Sequence, residues 1–133
     1  MDIRWLENGD YENTLVKWWA DFDFTAPPKE LLPDNGLGGA MVFNEDSEIC
    51  AGFLYQTNSK IAWVEFIISN KEYRGSDRGE AIEYLINVLS IKAKELGYTS
   101  IYTSLNHKVL IERYKRCGFI ASSQNCTEMV KKL

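Results

Sequence analysis

Thiols, imidazoles and basic charge are all in short supply in this chain. Its 133 residues include three cysteines, Cys50, Cys117 and Cys126, and one histidine, His107. An odd number of thiols with no C-x-x-C spacing argues against both a disulfide framework and a zinc site. Fifteen Lys and Arg stand against nineteen Asp and Glu, a formal net charge of −4. That balance gives nucleic-acid binding no electrostatic support. No apolar run is long enough to span a bilayer, and there is no internal repeat, low-complexity segment or linker. Asp2, Arg4 and Glu7 interrupt the N-terminus, so it does not read as a signal peptide. These absences predict a cytoplasmic protein with no metal site and no membrane or nucleic-acid partner.

What is present is ordinary for a folded chain. Hydrophobic residues make up 45%, a usual globular share. The length suits one domain over residues 1–133, large enough to bury a core without staples.

The most informative stretch is Ile61–Leu96. The apolar run Ile61–Ile68 is rich in Ile, Val, Phe and Trp, shapes that suit a well-buried strand. A polar turn with Gly75 and Gly79 follows. Ile82, Leu85, Ile86, Leu89, Ala93 and Leu96 then recur at three- and four-residue steps, which predicts a helix. Asp77 and Glu80 have the spacing of a capping box. Lys92 and Lys94 complement the C-terminal dipole, and Gly97 can take the left-handed stop. Strand, glycine-bearing turn and helix together suit an anion. The first helical amides lack internal partners, and glycine permits close approach. The same glycines also fit a plain turn.

Along the rest of the chain, Ile3–Leu6 predicts a short strand. Asp10 is placed to cap a helix whose stripe is Leu15, Trp18, Trp19 and Phe22, the tryptophans reading as core. Ala26–Pro33 reads as a loop with a short helix opened by proline, and Asn35–Gly39 as a flexible turn. Gly39–Phe43 and Glu48–Gln56 form a predicted hairpin. Ser100–Leu105 predicts a strand, and about Lys108–Cys117 a helix stopped by Gly118. Phe119–Ala121 and Thr127–Lys131 predict two last strands.

Two runs carry a family resemblance. Ala62-Trp-Val-Glu-Phe-Ile-Ile-Ser-Asn-Lys-Glu-Tyr-Arg-Gly75 resembles the fourth strand and following loop of GNAT N-acetyltransferases, which continue as V-x-P-x-Y-R-G-x-G-x-G. Leu110-Ile-Glu-Arg-Tyr-Lys-Arg-Cys-Gly-Phe119 resembles the family's A-I-x-x-Y-E-K-x-G-F, with the same step from tyrosine to Gly-Phe. One departure stands out. From Arg74 the chain reads R-G-S-D-R-G, so Asp77 occupies the place of the first glycine in the family's Q/R-x-x-G-x-G/A. A one-residue slip offers Gly79-Glu80-Ala81 instead.

The resemblance implies a mixed α/β, GNAT-like fold: a central, mostly antiparallel sheet flanked by helices, with fourth and fifth strands splayed to admit an acyl-pantetheine arm. It implies an N-acetyltransferase that moves an acetyl group from acetyl-coenzyme A to a primary amine on a small molecule or peptide, as monomer or homodimer. The alternative is a catalytically inactive coenzyme A-binding or protein-interaction module. Implied cofactor contacts are Ile67, Ile68 and Ser69 at the strand end, Arg74, Gly75, Ser76, Arg78 and Gly79 in the turn, and Asn106 beyond the fifth strand. Asn106 also fits a helix cap.

Acetyl transfer to an amine needs a base for the ammonium proton, donors for an oxyanion and a proton for the departing thiolate. By the resemblance Tyr114 supplies that proton, a task that suits a neutral phenol; it also fits a packing role. Glu65 is the candidate base, its pKa expected to rise inside an apolar strand, and it equally fits an exposed sheet face. His107 is the rival base. Asp21 and Asp23 lie where the family's acceptor loops lie, and they also read as a solvated helix end.

Overall fold

The computed structural model describes residues 1–133. Five strands, β1 (Asp2–Trp5), β2 (Gly39–Phe43), β3 (Glu48–Tyr55), β4 (Ile61–Ser69) and β5 (Ser100–Tyr102), form one sheet in chain order. Neighbours from β1 to β4 are antiparallel, while β4 and β5 are parallel. Three α-helices accompany the sheet: α1 (Val16–Asp21), α2 (Arg78–Glu95) and α3 (Lys108–Arg116).

Both faces of the sheet are covered, which is why its middle strands are almost continuously apolar. Side chains alternate across a strand, and β2 and β3 sort accordingly. Ala40, Val42, Cys50 and Leu54 share one core with Ala81, Leu85, Ile86, Leu89 and Ala93 of α2. Met41, Ala51 and Phe53 share the other with Leu15, Trp18, Trp19 and Leu32. The two tryptophans are therefore core, as expected. Each fully buried Leu or Phe contributes about 1.5–3 kcal/mol, so the sheet is anchored from both sides. Along α2 the inward stripe includes Ala81, whereas Leu96 is exposed.

The two long helices end alike. At α2, Gly97 has φ +97; its N–H donates to the Lys94 carbonyl and that of Tyr98 to the Ala93 carbonyl, at 3.0 and 3.1 Å. At α3, Gly118 has φ +93; its N–H donates to Lys115, and that of Phe119 to Tyr114, again at 3.0 and 3.1 Å. Both are the six-to-one and five-to-two bonds of a Schellman stop.

Four expectations need correction. The last two strands are absent: residues 120–133 form no secondary structure and make no backbone hydrogen bonds. Ile120, Met129 and Val130 are 89%, 87% and 87% exposed. An alternating pattern becomes a strand only where an edge accepts its N–H and C=O groups, and β5 offers just three residues, fewer than Ser100–Leu105 suggested. Asp10 does not cap the first helix. Its carboxylate binds Arg4 through two bonds, 2.8 and 2.9 Å, and accepts the Glu7 N–H, while the chain opens with a π-helical turn, Tyr11–Leu15. Asp77 likewise makes no side-chain cap to α2, because its carboxylate is taken by the Tyr73 hydroxyl at 2.5 Å. The side-chain cap of α3 comes from His107 rather than Asn106.

Candidate active site

The candidate site begins where β4 and β5 part. They pair from Ile61 with Ser100 to Trp63 with Tyr102, and no further. Beyond that point β4 carries a bulge. Ala51 faces Ile68 and Phe53 faces Glu65, so Gly52 alone opposes Phe66 and Ile67. Phe66 takes φ +57, a left-handed value that a non-glycine residue rarely adopts. A bulge bends its strand and re-aims side chains. The result is an open wedge between β4 and the edge strand β5, the splay expected between the fourth and fifth strands.

A cavity of about 220 Å³ fills the wedge, and it brings Glu65 and Tyr114 together. Glu65 Oε1 accepts the Ser104 N–H at 2.7 Å. Burial pushes the Glu65 carboxyl above its usual range; the Ser104 bond opposes this and the Glu128 carboxylate adds to it. Glu65 is therefore not an exposed sheet-face residue. Tyr114 is 3% exposed yet lines the cavity. Burial raises its phenol pKa far above the ordinary value, with the Thr103 side chain working the other way and Glu65 and Cys117 raising it further. Thus the phenol stays protonated at any physiological pH.

The Tyr-x-x-x-Gly-Phe spacing has a local cause. Gly118 turns the chain at the end of α3, and the Schellman stop returns Phe119 onto Tyr114. Their rings meet edge to face with centroids 4.9 Å apart. The motif thus clamps the tyrosine ring and leaves its hydroxyl at the cavity. Packing of the ring in this arrangement leaves Tyr114 among the cavity-lining residues.

Several predicted residues lie elsewhere. His107 Nδ1 accepts the Leu110 N–H at 3.3 Å, and of the two candidate bases only Glu65 lines the cavity. Ile67 lines the cavity, whereas the Ile68 side chain points into the core shared with Phe53. Ser69 pairs with Cys50 at the strand end. Asn106 is exposed and outside the cavity. Asp21 is bonded to Lys17 at 2.8 Å, a helix-end ion pair, and Asp23 is exposed.

The turn between β4 and α2 is braced by its own side chains. Arg78 Nη2 donates to the carbonyls of Asn70, Tyr73 and Lys71 at 2.8, 2.7 and 3.3 Å, so this guanidinium holds the turn's shape from within. Arg78 Nε is buried without a partner. Arg74, Gly75 and Ser76 are exposed. A Cβ on Gly75 would run into the Tyr73 hydroxyl and Asp77, and one on Gly79 would run into the Arg113 guanidinium. Gly79 is thus a platform for Arg113, whose Nη1 also pairs with Glu83 at 2.6 Å.

A pyrophosphate suits this place in part. Arg74 and Arg113 offer positive charge at the start of α2, and the first helical amides lack intrahelical partners. Asp77 opposes an anion by charge, and Arg113 must swing aside for a ligand to reach Gly79.

Four contributors escaped the sequence. The Ser104 amide and Thr103 follow a strand that proved shorter than its pattern. Arg113 precedes the tyrosine and carries no signal of its own. Glu128 sits within a segment expected to be a strand.

Comparison with known proteins gives a consistent picture. No family profile matches the chain, and no curated protein sequence matches it. Solved structures do. Glucosamine-6-phosphate N-acetyltransferase from Arabidopsis thaliana superposes with a TM-score of 0.68 at 14% identity, covering 98% of each chain. A similar match is the aminoglycoside acetyltransferase from an uncultured soil metagenomic sample, with a TM-score of 0.66 and 14% identity over 99% of this chain and 95% of that one. A transcriptional regulator from Bacillus halodurans C-125 gives 0.69 at 18% identity, over 97% and 99%.

Proposed function

The chain has the fold of the GNAT acetyltransferases, and from that premise we propose that it is an acyl-coenzyme A-dependent N-acetyltransferase acting on a primary amine. One observation carries the reading: Glu65 and Tyr114 meet in a single cavity at the point where β4 and β5 separate. A raised carboxyl and a firmly protonated phenol are complementary groups for proton traffic. Acetyl-coenzyme A would supply an activated acyl group as a thioester. Glu65, ionised, takes the proton that an ammonium must lose before its nitrogen can attack. Tyr114 keeps a proton at its hydroxyl, ready for the departing sulfur. Arg74 and Arg113 would offset phosphate charge at the α2 end, with Arg78 keeping the turn in shape.

A second reading rests on Asp77. Its carboxylate in the turn is held by Tyr73 and disfavours an anion, which suits a module without turnover.

A thermal-shift titration with acetyl-coenzyme A tests the cofactor. Binding to the native state at about 100 times Kd stabilises by roughly 2.7 kcal/mol, so Tm rises with ligand concentration. An unchanged Tm at millimolar acetyl-coenzyme A refutes the proposal. Release of free thiol with a panel of amines separates the enzyme from the inactive module: a protein that binds the cofactor and turns over none of them supports the latter.

A further inference from the structure

The start of α2 carries a cation where a helix favours an anion. Gly79 lies in the first turn of α2, at the positive end of the helix dipole. The Arg113 guanidinium, from α3, lies flat against it: a Cβ at Gly79 would meet Cζ and both Nη atoms. The dipole disfavours a guanidinium there, so something else must hold it. Glu83, one turn further along α2, does so. Its Oε2 accepts from Arg113 Nη1 at 2.6 Å, and the two side chains are only 23% and 27% exposed. A second cation stands beside the same oxygen, Arg116 Nη1 at 4.0 Å, on a side chain that is 64% exposed. Glu83 therefore keeps a partner when Arg113 leaves.

We propose that Glu83 is a positioning residue that latches Arg113 over Gly79 and so holds the pyrophosphate place closed in the free protein. The proposal rests on the acetyltransferase reading for the identity of the anion, while the latch itself is a contact within the chain. Opening exchanges one ion pair for two. Arg113 turns from Glu83 to phosphate oxygens, which its planar fork can bind through two bonds, and Arg116 takes over the carboxylate. Gly79, uncovered, then lets the anion approach the backbone beside the free amides of the first turn. Because the competent arrangement is only part of the free population, the latch lowers the apparent affinity by that fraction. A plain staple between α2 and α3 is the simpler role for the same ion pair. The two roles differ in sign: loss of a staple loosens the site and weakens the cofactor, whereas loss of a latch tightens it.

The test is calorimetric titration of the full chain with acetyl-coenzyme A, in wild type, Glu83→Gln and Glu112→Gln. Glu83→Gln keeps the length of the side chain and an acceptor oxygen but removes the charge that holds Arg113. Glu112→Gln removes the same charge from α3, where Glu112 pairs with Lys115 at 3.5 Å, and leaves Arg113 in place. Glu83→Gln should bind acetyl-coenzyme A about fivefold more tightly, the upper end for one ion pair near the surface, although its Tm without ligand is no higher than that of wild type. Glu112→Gln should bind as wild type does. Should Glu83→Gln fold poorly, Glu83→Asp carries the same expectation, since it keeps the charge and draws the carboxylate back from Arg113. Saturable binding that Glu83→Gln leaves unchanged or weakens, or a gain that Glu112→Gln matches, would overturn the latch while the acetyltransferase reading stands. If neither wild type nor the Glu83 variants bind acetyl-coenzyme A, both fall.

Discussion

Replacing Tyr114 by phenylalanine removes one oxygen and leaves the ring. The ring is what the fold uses: it is 3% exposed and packs edge to face on Phe119 at 4.9 Å. The stability cost is therefore at most that of one hydroxyl hydrogen bond, about 1 kcal/mol. For a chain of this size that lowers Tm by roughly 3–5 °C. The chemical cost is larger. General acid catalysis contributes about 10²–10⁴-fold, equivalent to roughly 3–5 kcal/mol in the barrier. The variant should stay folded and bind acetyl-coenzyme A with near wild-type affinity, while kcat and kcat/KM fall together, the signature of a contact made in the transition state. The assay is continuous thiol release with an amine on which wild type is active, beside calorimetric cofactor binding. Full kcat in Tyr114→Phe would refute the acid role and leave Tyr114 as packing. Because burial raises this phenol's pKa, its deprotonation should also place no alkaline limb on the wild-type rate below pH 9.

Three further outcomes are expected. Glu65 has a folded pKa raised above 4.5, so its contribution to stability is full below the unfolded value and is lost as pH rises through the folded one; Glu65→Gln should thus gain Tm over wild type at pH 7, with the gap closing below about pH 4, and a variant less stable at pH 7 would contradict this. Gly118→Ala meets no atom within 4 Å but must hold φ +93, so urea denaturation should show a loss of about 1–2 kcal/mol from backbone strain alone, and an unchanged midpoint would show the stop to be dispensable. Asp77→Asn keeps an acceptor for the Tyr73 hydroxyl and removes a charge, so acetyl-coenzyme A affinity should rise about fivefold; weaker binding in calorimetry would mean that the ionised carboxylate orders the turn.

Local chemistry was enough to determine a good deal. The strand–turn–helix from Ile61 to Leu96 was legible because periodicity, charge placement and Gly97 all agree on one answer. The tryptophan stripe reads as core because large aromatics on an apolar helical face are usually buried, and both are buried. Tyr114 was singled out by the resemblance of Tyr-x-x-x-Gly-Phe to the family's motif, and the structure shows a local reason for the spacing, the left-handed stop at Gly118. Tertiary structure decided the rest. Glu65, a candidate base by the resemblance that equally fitted an exposed sheet face, lines the cavity because β4 and β5 part beyond Trp63, a shape that depends on strand register and not on composition. Asp10 and Asp77 have cap spacing, but Arg4 and the Tyr73 hydroxyl compete for their oxygens and win. Gly79 looked like room for a ligand, and the fold set Arg113 over it. The C-terminal residues alternate as a strand should, yet hydrogen bonding across a sheet is a property of two chains' edges, and no edge receives them. Glu128, in that same segment, lines the cavity without belonging to any strand.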